Sequence, residues 1–102
     1  MKDDYIREEI TWDGITIEVG WSPEYFSIGN GKTMGHLEVR SIAPDREPLP
    51  MTETGYRSHW MTPEEMNEYG GPQNFVEAWI DHEAQTPAWM EAKTKRAQLE
   101  LF

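Results

Sequence analysis

The chain has 102 residues, no cysteine, and nine Lys or Arg against 19 Asp or Glu, a formal net charge of −10. One small domain with one core fits that length, and the missing thiols exclude disulfides, thiolate zinc sites and a cysteine nucleophile. Direct nucleic-acid binding is disfavoured because phosphate contacts need clustered basic groups.

No apolar run approaches the length that crosses a bilayer, and Met1-Lys2-Asp3-Asp4 lacks the apolar segment of a signal peptide, so a cytoplasmic location is expected. The clearest structural signal lies at residues 8–21. Asp13-Gly14 is a type I′ turn signature between two alternating segments. Pairing across it sets Trp12 opposite Ile15, Ile10 opposite Ile17, Glu8 opposite Val19 and Ile6 opposite Trp21 on one face. Arg7, Glu9, Thr11, Thr16, Glu18 and Gly20 fall on the other, the pattern of a sheet with one solvated side. Ser22-Pro23 is expected to interrupt this hairpin, with a short third strand over residues 25–28 and a glycine-rich loop over residues 29–35. Gly31-Lys32-Thr33 matches the end of a P-loop, but the motif needs a glycine where Phe26 stands, so the phosphate reading fails. Residues 36–43 alternate as a fourth strand, Leu37, Val39 and Ser41 on one side.

Three prolines, Pro44, Pro48 and Pro50, make residues 43–50 a loop. Residues 51–60 read as a strand or ordered extended segment in which Tyr56 and Ser58 share one face and Arg57 and His59 the other. Thr62 followed by Pro63 and Glu65 is a capping box that opens a short helix, which Gly70-Gly71 ends. Pro72 opens a second helix whose Phe75, Val76, Trp79 and Ile80 form an inward stripe. A last helix is expected from Pro87 towards Arg96 or Ala97, weakly packed because Lys93 sits among Trp89, Met90 and Ala97. The resulting fold class is α+β: an antiparallel sheet covered on its apolar face by helices within residues 63–97, with Trp12, Trp21, Phe75, Trp79 and Ile80 in the core. The domain is expected to span residues 1–97, with residues 98–102 as a separate peptide.

Several clusters carry possible chemistry. His36, His59 and His82 lie 23 residues apart, which is no metal-motif spacing, so neither a metal nor another cofactor is expected. Tyr56, Arg57 and His59 form a possible polar site suited to an anion or carboxylate, though adjacent strand residues point apart and are poorly placed to share a proton. Residues 62–92 hold Glu64, Glu65, Glu68, Glu77, Asp81, Glu83 and Glu91 and no Lys or Arg. This reads as a solvated helical face, or alternatively as a surface imitating DNA.

The last five residues, Gln98-Leu99-Glu100-Leu101-Phe102, are too apolar for an ordinary chain end and follow the basic run Lys93, Lys95, Arg96. They closely resemble the peptide by which bacterial replication and repair proteins bind the sliding clamp, Gln-Leu-Ser/Asp-Leu-Phe, with Glu100 as the one conservative departure. The resemblance implies a hydrogen-bonded Gln98 amide and Leu99, Leu101 and Phe102 seated in an apolar pocket of the clamp. Residues 50–60 and the Trp-rich helix resemble small uncharacterised proteins of bacterial mobile elements. The expected function is therefore a non-enzymatic interaction module that docks on the clamp. Two alternatives stand: a DNA-mimic inhibitor of the anti-CRISPR or anti-restriction type, whose acidic face includes Glu64, Glu65, Glu68, Glu77 and Asp81, and a small enzyme or ligand-binding domain using Tyr56, Arg57 and His59.

Overall fold

A computed structural model describes residues 4–100. Asp13 and Gly14 take φ of 51° and 78°, the left-handed pair that a type I′ turn requires. The turn joins β1 (Ile6–Trp12) to β2 (Ile15–Gly29) in the register expected from the sequence, Trp12 facing Ile15 and Ile6 facing Trp21. A second turn of the same kind, Asn30 and Gly31 at φ of 56° and 72°, leads into β3 (Lys32–Ala43). After a proline-rich loop that begins with a cis Ala43–Pro44 bond, β4 (Tyr56–Met61) completes an antiparallel sheet of order β1-β2-β3-β4. Three helices follow: α1 (Pro63–Glu68), α2 (Pro72–Ala84) and α3 (Pro87–Glu100). The fold is the α+β arrangement expected, with the sheet and helices segregated along the chain.

Ser22-Pro23 does not break the hairpin. β2 continues through it, and the pairing with β3 shifts between Ser22 and Phe26, so the expected third strand is the far end of β2. A bulge is where a sheet tolerates proline, whose missing N–H then costs no ladder bond. The expected loop over residues 29–35 shrinks to the Asn30-Gly31 turn for the same reason: the two long strands stay paired out to Gly29 and Lys32.

One sheet face carries the core. Ile17, Val19, Leu37, Val39, Val76 and Ile80 are each at most 1% exposed, and Ile10, Ile15 and Trp21 join them. Trp12, Phe75 and Trp79 pack against this cluster while remaining only partly buried. The loop after β3 contributes more than a connection. Leu49 and Met51 are buried, and Ser41 holds the segment by donating from Oγ to the Glu47 carbonyl at 2.6 Å. Ile6, expected inward, is 59% exposed, because the helices lie over β2 and β3 and leave the start of the edge strand β1 bare.

The helix starts follow their sequence signals. Thr62 Oγ1 accepts from the Glu65 backbone N–H at 3.2 Å while the Glu65 carboxylate accepts from the Thr62 N–H at 3.0 Å, closing the capping box. Thr86 Oγ1 accepts from the Trp89 N–H at 3.3 Å at the start of α3. Its helix runs to Glu100, beyond the end expected at Arg96 or Ala97, so Gln98 and Leu99 continue α3.

Candidate functional site

β4 is an edge strand, and its alternation decides what the residue 56–60 segment presents. Arg57 and His59 pair with Val39 and Leu37 and therefore share the helix-bearing face. Tyr56 pairs with Arg40 and faces the opposite side, as do Ser58 and Trp60. The structure thus brings together two of the three residues of the polar site and separates Tyr56 from them.

On the helix side, α2 covers the middle of the sheet through Val76 and Ile80, and only its flank reaches β4. The gap is a cavity of about 470 Å³ lined by Arg57, His59, Tyr69, Phe75, Ala78, Trp79 and His82. His59 stacks on Phe75 with ring centroids 5.8 Å apart and lies 5.4 Å from Trp79. Tyr69 meets Phe75 edge-on at 4.8 Å. Arg57 Nη1 donates to the Met51 carbonyl at 3.0 Å, and its guanidinium carbon lies 5.4 Å from the Trp79 ring centre, a cation–π contact that fixes the fork. The four walls from α2, Phe75, Ala78, Trp79 and His82, follow from helix periodicity and Tyr69 comes from the end of α1, but only the strand register shows that they meet β4.

The helix-free face carries a second cluster. Tyr25, Phe26 and Trp60, each close to half exposed, gather with centroids 5.2 Å apart for Tyr25–Trp60 and 5.5 Å for Phe26–Trp60. Beneath them His36 is buried, 4.3 Å from Trp60, and a 2.6 Å hydrogen bond joins its Nδ1 to the Tyr5 hydroxyl. Beside the rings, Arg7 lies 3.6 Å from Glu18 and 3.7 Å from Glu38, and the Tyr56 hydroxyl donates to Glu38 at 3.2 Å. Burial first, and the Glu38 carboxylate second, push the phenols of Tyr5 and Tyr56 above their ordinary value. This cluster escaped sequence reasoning. Tyr25 and Phe26 belong to it only because the bulge after Ser22 keeps them in the same long strand.

His59 and His82 share the cavity, whereas His36 lies on the other face. Among the described residues no three His, Cys, Asp or Glu side chains converge as a metal site. Glu64, Glu65, Glu68, Glu77 and Asp81 are all exposed on α1 and α2, Glu65 being engaged in the capping box. None of them joins an ion pair among the described residues.

α3 is fastened at its start and middle. Trp89 is half-buried with its ring 6.2 Å from Trp12, Lys93 lies 3.7 Å from Asp13, and Arg96 lies 2.6 Å from Glu47. From Met90 through Leu99 every residue is exposed, Leu99 to 75%. Leu101 and Phe102, the other apolar members of the expected clamp peptide, lie outside the described residues. No helix among those described is long and apolar enough to cross a membrane.

No curated protein and no solved structure matches the chain. A family model, the KlcB third domain, matches residues 5–89, which takes in the whole sheet, α1, α2 and the Trp89 anchor. KlcB is a plasmid-borne protein, which fits the resemblance to proteins of mobile elements seen in the sequence. The chain belongs to the KlcB third-domain family.

Proposed function

We propose that this domain is a non-enzymatic protein-interaction module that docks on the bacterial sliding clamp through residues 98–102. The observation that carries the reading is the 75% exposure of Leu99 at the end of a helix in which every residue from Met90 through Leu99 is exposed. A leucine so displayed contributes nothing to the fold, and it stands second in a pentapeptide that matches the clamp motif at four positions of five. Seating Leu99, Leu101 and Phe102 in an apolar pocket would contribute roughly 1.5–3 kcal/mol each before ordering costs, enough for binding near micromolar. Part of that cost is the unwinding of Gln98 and Leu99 from α3 where the pocket requires extended chain. Weak packing of the helix end keeps it low. Titrating purified clamp against wild type and Leu99→Ala tests the reading. Loss of roughly tenfold or more in affinity at unchanged melting temperature supports it, and equal affinities refute it.

A second reading is favoured by the exposure of Glu64, Glu68, Glu77 and Asp81 on consecutive helices with no cation paired to them among the described residues. In it, the acidic face occupies the nucleic-acid channel of an enzyme. Binding would then weaken steeply with salt and with charge reversal at Glu77 and Asp81, and be indifferent to Leu99.

A further inference from the structure

We propose that the cavity between β4 and α2 is a binding site for a small aromatic carboxylate, with the Arg57 guanidinium taking the carboxylate and the ring stacking on the surface made by Phe75, Trp79 and Tyr69. Its volume of about 470 Å³ lies within the range of small-molecule sites, and its lining is aromatic with few polar groups, the usual make-up of such a site. Charge distribution selects the ligand's sign. α1, α2 and the start of α3 carry seven carboxylates and no Lys or Arg, yet none of those carboxylates lines the cavity. The one permanent cation there, Arg57, has no ion-pair partner among the described residues. Its single described hydrogen bond, to the Met51 carbonyl, uses one of five donors and anchors the fork without neutralising it. A guanidinium held by a backbone oxygen and an indole face, with donors to spare, is preorganised for the two oxygens of a carboxylate.

The walls choose the rest of the molecule. Phe75, Trp79 and His59 touch one another with ring centroids 5.4–5.8 Å apart, and Tyr69 meets Phe75 edge-on, so the four rings make one continuous aromatic surface. A flat ring covers such a surface by stacking on it, while a branched aliphatic acid would leave the faces uncovered. A phosphate dianion fits less well, since a single arginine faces it and the chain's net charge of −10 opposes a second negative charge.

The test uses the full chain with two shape-matched probes, 2-naphthoate and neutral 2-naphthamide, followed by NMR shifts of the Trp79 indole and His59 ring protons. Saturable naphthoate binding at least tenfold tighter than naphthamide is expected, since a charge-assisted hydrogen bond is lost with the charge. Arg57→Gln should bring naphthoate down to the level of the amide, and Arg57→Lys, which keeps charge but not the fork, should fall between. Equal binding of both probes by the wild type, no saturable binding of naphthoate, or undiminished naphthoate affinity in a folded Arg57→Gln variant would overturn the proposal. The wild-type comparison stands by itself if that variant fails to fold.

Discussion

Gly35 is where the core's packing is most sharply testable. It sits on β3 opposite Met61, and the Trp21 indole lies across it on the core face. A Cβ placed there would overlap Trp21 Cη2, and would lie 2.9 Å from Trp21 Cζ2 and 2.9 Å from the Met61 carbonyl oxygen. Neither neighbour can yield cheaply: the indole is 6% exposed, and the carbonyl belongs to the end of β4. Gly35→Ala is therefore expected to destabilise by about 1–3 kcal/mol, the range for overpacking. In a domain of this size that lowers the melting temperature by roughly 5–20 °C. The sign is informative, because glycine to alanine without a clash stabilises by about 0.4–1 kcal/mol through the unfolded chain. A urea-unfolding cycle with Trp21→Phe isolates the cause. The smaller ring lacks the atoms that meet the new methyl, so the two substitutions together should cost less than their sum, by more than about 0.5 kcal/mol. Additive costs, or an unchanged Gly35→Ala variant, would refute this reasoning.

Two further outcomes follow from burial and titration. Ile80→Ala, at a site with no exposure, should cost about 2–5 kcal/mol in chemical denaturation, while Leu99→Ala should stay within about 0.5 kcal/mol of wild type. A large effect of Leu99→Ala would mean that the end of α3 is part of the core. The raised phenols of Tyr5 and Tyr56 make the folded state resist ionisation, so their contribution is fully present below about pH 10 and is lost as pH climbs through the folded-state values. Urea midpoints measured up the alkaline limb should fall above about pH 10, and less steeply in a Tyr5→Phe, Tyr56→Phe double variant. An identical alkaline fall in that variant would contradict the assignment.

What could be read from residues alone followed the locality of the signal. The first hairpin, the capping box at Thr62 and the stripe of α2 each rest on neighbours a few positions apart, and each appears where periodicity and turn chemistry put it. Asn30-Gly31 obeys the same turn rule as Asp13-Gly14, but Pro23 upstream and glycines on both sides suggested a loop, because a bulge that absorbs a proline leaves no periodic trace. Leu49 sits in a segment whose prolines mark it as a connection and Met51 opens the stretch read as extended, which becomes β4 only from Tyr56; the burial of both depends on where the chain crosses the sheet. The sites were the least legible part. Alternation alone already separated Tyr56 from Arg57, yet the partners of Arg57 and His59 come from α2 and the residue before Gly70, and those of Trp60 from the far end of β2. Long-range register sets both clusters, and a single sequence carries no record of it.

The proposed docking makes residues 98–102 a ligand displayed by the domain. It is tested most directly by calorimetric titration of purified bacterial sliding clamp with the full chain and with a chain truncated after Ala97, at low and at high salt. The full chain should bind near micromolar with little salt dependence, the truncated chain should not bind, and both should melt at the same temperature. Equal binding by the two chains would contradict the claim.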